Sequence, residues 1–294
     1  MTLTRRDLFG AGAAAIAGFS AVPARAAPRR VATVDWSVLE SLLALGVTPV
    51  AAPELVQFRE VAVEPPVPPE TADLGLRGTM NLEVLRLAAP ELIFSSSFYR
   101  SSEARLGRIA PVESFTIYAP GVLPFGACVD MTRRIGARLG IEDRAERLIG
   151  DTGAELAALR ARLGGGDGRP LIPINLGDPR HFRAFGRNSM FGEVLERLGL
   201  ENAWRDNTSY AATAPVGLEV LALMPDAWIV MIQPVPPDAR KTLSNSAFWN
   251  ALPAVREGRV LWLEPINHFG ALPAARRFAR LLVEALPTAE RANG

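Results

Sequence analysis

Apolar positions along this chain fall into two alternating textures. Short runs that are apolar almost throughout, such as "RVATVDW" and "ELIFSS", are bounded by turn residues and read as strands buried on both faces. Between them lie segments whose apolar residues recur every three or four positions, the period of a helix. "SVLESLLALG" is one, with Ser37 and Glu40 at capping-box spacing, and "SMFGEVLERLG", begun at Asn188 or Ser189, is another. From residue 27 the order is strand "RVATVDW", that first helix, strand "VTPVAA", and a proline-rich connector "VEPPVPPET" suited to turns or polyproline. Then come strand "ADLGL", loop "RGTM", a helix begun by Asn81, strand "ELIFSS", and a helix and strand within "SEARLGRIAPVESFTI". Strands alternating with helices predict an α/β layer on a mostly parallel sheet.

From Phe125 the texture becomes helical for roughly forty residues, softened at Gly140 and closed by the glycines at 164–168. Strands "PLIPINL", "FRAFG", "DAWIVMI" and "RVLWLE" follow, interleaved with helices "SMFGEVLERLG", "GLEVLALM" and "AFWNALPAVREG", and "ALPAARRFARLLVEAL" closes the chain as an amphipathic helix. The pattern predicts two α/β lobes, each with a mostly parallel sheet, joined by one long rigid helix. The N-terminal lobe spans 27–124, the joining helix 125–149 and the C-terminal lobe 150–294. Open α/β sheets bind ligands beyond the carboxyl ends of their strands. Arg77 and Tyr99 stand at two such ends, one element apart, and are placed to face one crevice. Arginine is rarely buried without a partner, so Arg77 needs either a carboxylate, with Asp73 and Glu83 the nearest, or a ligand.

Residues 1–26 belong to a different category. "MTLTRRDLFGAGAAAIAGFSAVPARA" has a basic start, a short apolar run rich in Gly and Ala, and small residues at Ala24 and Ala26, the make-up of an export signal. Its "TRRDLF" places Arg5 and Arg6 as a twin-arginine pair, against a plain secretory signal that carries two arginines. No cysteine follows the run, so the product is expected in the periplasm and not as a lipoprotein. Without this leader, 29 basic residues of the original 32 face 30 acidic ones of the original 31, and no basic block stands out. That balance argues against nucleic acid as a partner.

Catalytic and metal-binding patterns are missing from the sequence. The two histidines, His181 and His268, lie far apart with no Cys or His at ligand spacing, and there is no phosphate loop, dinucleotide fingerprint or nucleophile elbow. The single cysteine, Cys128, sits in a helical apolar pattern and reads as a core residue. Binding, with no cofactor, is a better reading than catalysis.

Four stretches carry a likeness: "VDWSVLESLLALGVTPV", "EPPVPPETADLGLRGTMNLEVL", "IAP" and "DPRHFRAFGRNSMFGEVLERLGLENAW". In these, and in order along the mature chain, the protein resembles the periplasmic ferric-hydroxamate siderophore-binding proteins, substrate-binding subunits of ATP-driven iron importers. The resemblance implies two α/β lobes joined by one rigid helix, with small closure on binding. It implies that iron arrives already wrapped in a siderophore, so that the protein supplies no metal ligand and no cofactor. It assigns the grip on the chelate's oxygens to Arg77 and Tyr99. Tryptophans that line the pocket in relatives correspond here to Val61, Ser95, Ala211 and Asn267, while Trp36, Trp204, Trp228, Trp249 and Trp262 read mainly as core, with Trp204 the one that approaches the cleft. A wider or more polar pocket follows, with Ser95, Phe98, Arg100, Tyr210, Thr213, Asn267 and His268 as candidate lining and Arg100 as an added charge that favours an anionic chelate. The resemblance also implies a monomer that docks on an inner-membrane ABC permease and its ATPase through an acidic residue on each lobe, here Glu103 and Glu219. Two other readings stand beside it: a binder of another metal chelate (ferric citrate, haem or cobalamin), and a periplasmic enzyme that modifies a siderophore.

Overall fold

The computed structural model describes residues 27–207 and 216–286. The first lobe is built on β1 (Val31–Thr33), α1 (Trp36–Ala44), β2 (Ala51–Ala52), α2 (Leu55–Val61), β3 (Ala72–Asp73), α3 (Leu82–Leu87), β4 (Leu92–Ser96), α4 (Glu103–Leu106) and β5 (Val112–Phe115). All its pairings are parallel, in the order β3-β2-β1-β4-β5. Every residue of the interior strand β4 is buried, as a parallel strand covered on both faces requires.

α5 (Pro124–Leu139) and α6 (Glu142–Leu163) lead into β6 (Leu171–Leu176), β7 (His181–Ala184), α7 (Met190–Leu198), β8 (Val216–Gly217), β9 (Trp228–Gln233), α8 (Pro237–Ser244), α9 (Ala247–Ala251), α10 (Pro253–Arg256), β10 (Val260–Pro265) and α11 (Leu272–Ala285). The second sheet runs β10-β9-β6-β7-β8, parallel from β10 to β6 and antiparallel across β7 and β8. Two α/β lobes with mostly parallel sheets are thus present.

Several local expectations change. The long helical stretch is two helices, because Gly140 takes the left-handed conformation (φ 67°) that ends α5 and turns the chain before α6. Residues 142–149, assigned to the joining helix, open the helix that packs on α7 and α11. Gly136 lets α5 approach α6: a Cβ there would stand 2.7 Å from that of Ala145. Asp35, and not Ser37, caps α1, its Oδ1 accepting from the Ser37 and Val38 amides at 2.8 and 3.2 Å. Glu40 therefore does not complete a capping box. "GLEVLALM" forms a 3-10 helix over Leu218–Leu223, "AFWNALPAVREG" breaks into α9 and α10 at Pro253, and α2 and α8 add helices that the polar pattern did not announce.

One apolar core runs through both lobes. It joins Val38, Leu42, Phe94 and Phe115 of the first half to Leu171, Phe185, Val230 and Phe278 of the second, with Cys128 fully buried on α5 between them. The lobes are also stitched by polar contacts. Glu193 on α7 accepts from the Phe125 amide at 2.6 Å and so caps α5 from the other lobe. Arg276, Arg277 and Arg280 on α11 pair with Glu155, Glu64 and Glu264, and Glu64 belongs to the first lobe's connector.

Candidate functional site

A cleft of about 560 Å³ opens between the lobes. Arg77 enters it from a 3-10 turn, Arg77–Thr79, that leaves the chain just beyond β3. Its guanidinium lies over the Trp36 ring, 3.8 Å from the centroid, and its Nε donates to Glu54 Oε2 at 2.5 Å. Glu54 is held there by a left-handed backbone (φ 51°, ψ 47°), which costs a non-glycine residue roughly 1–3 kcal/mol. The Glu54 amide, bonded to the Gly75 carbonyl at 2.9 Å, helps fix that conformation. The neighbours named as partners for Arg77 are engaged elsewhere: Asp73 accepts from the Leu55 and Gly75 amides, and Glu83 pairs with Arg86. The terminal nitrogens of Arg77 make no hydrogen bond among the described residues.

Beyond β4 the chain winds through a 3-10 segment, Ser97–Ser102, which carries Phe98 and Tyr99 into the cleft. Tyr99 is buried and meets Phe98 edge-on, with centroids 5.3 Å apart, while Phe98 is 78% exposed at the rim. Burial, with a further push from Asp35, raises the Tyr99 phenol above its ordinary range, so it stays a protonated donor at neutral pH. Its hydroxyl too has no hydrogen-bond partner among the described residues. Asp35 lines the same wall, but both its oxygens are occupied, by the α1 cap and by the Ser96 hydroxyl at 2.7 Å.

The opposite wall comes from the second lobe. Arg183 on β7 and Phe269 line it, the guanidinium 5.1 Å from the ring centroid. Tyr118, also lining the cleft, stands edge-on to Phe269 and donates its hydroxyl to the Gly270 carbonyl, tying one wall to the other.

Arg77, Tyr99 and Phe98 are therefore brought together, and among the described residues the other lining candidates do not reach the cleft. Ser95 is fully buried behind the wall, since alternate strand residues face opposite ways and Ser96 takes the cleft side. Arg100 is exposed and off the cleft. Asn267 is buried and donates to Glu40 Oε1 at 2.6 Å, and the Ala271 amide donates to Glu40 Oε2 at 2.8 Å, a contact between α1 and the start of α11. His268 packs on Phe185 and Phe191 with its Nε2 sealed from solvent, and burial lowers its pKa to about 3. Tyr210, Thr213 and Ala211 lie outside the described residues, as do Arg5 and Arg6 of the leader. Val61 is a core residue of the first lobe. Trp204 packs edge-on to Phe182 and does not line the cleft, whereas Trp36, read as core, does. Glu103 opens α4 in the first lobe and exposed Glu219 opens the 3-10 helix of the second; neither is ion-paired among the described residues. Among those residues no three His, Cys, Asp or Glu side chains gather as a metal site.

Six of these cleft residues escaped sequence reading: Asp35, Trp36, Glu54, Tyr118, Arg183 and Phe269. Asp35 and Trp36 within "VDWSVL" and Arg183 within "DPRHFRAFG" had a signal in their place in the stretches that carry the likeness.

Comparison with known proteins places this architecture. The family model described as periplasmic binding protein matches residues 31–266. The iron(3+)-hydroxamate-binding protein FhuD of Escherichia coli K12 is 30% identical over 259 residues, covering 88% of this chain and 87% of that one. The Fe(3+)-citrate-binding protein YfmC of Bacillus subtilis 168 is 24% identical over 239 residues, covering 79% and 72%. Among solved structures, the Fe3+–Desferal-bound siderophore-binding protein FhuD of Vibrio cholerae superposes with a TM-score of 0.83 at 27% identity, over 87% of this chain and 97% of that one.

Proposed function

The chain belongs to the periplasmic binding protein family, and on that premise we propose that it captures a ferric siderophore of the hydroxamate kind in its inter-lobe cleft and delivers it to an ABC importer. The observation that carries the reading is the pairing of Arg77 and Tyr99 at one cleft, each with donors that no described protein group accepts. Oxygens bound to ferric iron keep partial negative charge, and a guanidinium with a protonated phenol beside it meets that need. Phe98 and Phe269 supply apolar faces for the ligand's carbon skeleton.

Within this reading iron is cargo, bound only through its chelator, and the protein binds without catalysing. Export uses the twin-arginine leader with Arg5 and Arg6, giving a free periplasmic monomer. Glu103 and Glu219, one on each lobe, contact the permease that works with its ATPase. The continuous core and the α11 ion pairs favour small closure on binding.

The test is a tryptophan-fluorescence titration of the mature protein with ferric hydroxamate, ferric citrate and ferric catecholate chelates, repeated with Arg77→Ala. Tightest binding is expected for a hydroxamate, with a clear loss in the variant. Binding of none of them, or an unchanged affinity in Arg77→Ala, would sink the reading.

A further inference from the structure

We propose that Arg183 anchors a carboxylate arm of the bound chelate, so that the cleft favours a ferric chelate carrying a free carboxylate over one of the same shape without it. The inference rests on the cleft being a ferric-siderophore site, and it names the chemical class of ligand within that reading.

Charge accounting in the cleft leads to it. The acidic groups there are spoken for: Asp35 caps α1 and accepts from Ser96, and Glu54 is paired with Arg77. Arg183 is the cleft cation left without an ion pair among the described residues. The stretch at 208–215, "TSYAATAP", has no acidic side chain to offer it. Phe269 contributes a ring to the guanidinium but no counter-charge.

Arg183 is also part-buried, and burial alone lowers its pKa. A charge withdrawn from water without a partner is a standing cost, which a ligand that brings the opposite charge removes. The guanidinium has five N–H donors in a rigid fork matched to a carboxylate. The second-lobe position matters too. Arg77 and Tyr99 stand on the first-lobe wall, so a chelate core gripped there directs a peripheral arm toward Arg183. The expectation of an anionic ligand thus passes from Arg100, which points to solvent, to Arg183, which faces the cleft.

Three forms of one chelate separate the charge from the iron centre: ferric desferrioxamine B with its terminal ammonium, its N-acetyl derivative, and its N-succinyl derivative ending in a carboxylate. Wild-type mature protein should bind the succinyl form about tenfold or more tighter than the acetyl form, with the ammonium form weakest. In Arg183→Leu the succinyl-to-acetyl ratio should fall to about twofold or less, and Arg183→Lys should restore part of it. Arg77→Ala should weaken all three forms together. If wild type binds the three forms equally, or Arg183→Leu keeps the preference, the role of Arg183 is refuted while the siderophore reading stands. Binding of no form by wild type overturns that reading and this inference with it.

Discussion

The guanidinium of Arg77 rests 3.8 Å from the centre of the Trp36 ring. The proposed grip on the ligand and an intrinsic fluorophore are thus in contact, with the Trp36 Nε1 fixed to the Pro53 carbonyl at 2.9 Å. A chelate that draws on Arg77 must therefore change the emission of Trp36. Trp36→Phe should remove most of the ligand-induced signal while leaving other tryptophans emitting. Arg77→Ala should weaken a ferric hydroxamate by roughly 1.5–3 kcal/mol, the range for hydrogen bonds to charged groups. Fluorescence titration checks the first and calorimetric titration the second, with circular dichroism as a folding control for both variants.

The site was half legible in the sequence, and the division follows the range of the interactions. Arg77 and Tyr99 could be placed because each follows a short strand, edge strand β3 for Arg77 and buried β4 for Tyr99, and parallel strands deliver their carboxyl ends to one edge. Glu54 could not, since it meets Arg77 from a left-handed backbone conformation that non-glycine residues seldom take. Trp36 looked like core and is almost fully buried, yet its covered face is part of the cleft. Ser37 and Glu40 matched a local capping rule, but a contact 227 residues along the chain decides where Glu40 points. Local periodicity reports which face is buried and not what lies against it.

Burial pushes the Glu40 carboxyl from its ordinary 4.5 up to about 8, against the pull of the Ala271 and Asn267 donors. Between those values the unfolded chain has lost a proton that the native protein keeps, so stability falls as pH rises through the window. His268 acts in the opposite sense. Its pKa drops from 6.5 to about 3, chiefly by burial with a contribution from Arg183, and between those values the unfolded chain gains a proton that the native ring refuses. Stability from this group therefore falls as pH drops. The two slopes oppose each other between 4.5 and 6.5, which leaves a plateau there. Urea unfolding across pH should show Glu40→Gln flattening the alkaline limb and His268→Phe the acid limb, each by up to about 1.4 kcal/mol per pH unit.

Gly270 sits against the same buried carboxylate. A Cβ at this position would lie 2.3 Å from that of Ala274 and 2.6 Å from Glu40 Oε2. Gly270→Ala should destabilise the protein by roughly 1–3 kcal/mol, as overpacked cores do. Thermal unfolding that leaves the midpoint unchanged would show that the junction is looser than its contacts indicate.

Small-angle scattering of the mature protein, with and without a saturating ferric chelate, should show the radius of gyration changing by less than about 1 Å. A larger compaction would mean that the α11 arginine pairs and the shared core yield on binding.

Glu103→Ala and Glu219→Ala should leave chelate affinity untouched, because neither residue lines the cleft. Iron uptake measured in cells that depend on this protein should fall for each, and further for the pair.

The core that passes from Phe94 through Cys128 to Phe278 has a consequence for the molecule's architecture as such. Each half has smaller apolar clusters of its own, but the largest cluster is shared, and severing the chain at Gly140 would strip each half of side chains that the other supplies to it. The two halves are divisions of shape and not units of folding. A calorimeter should accordingly record a single cooperative melt, and neither half should fold when expressed alone.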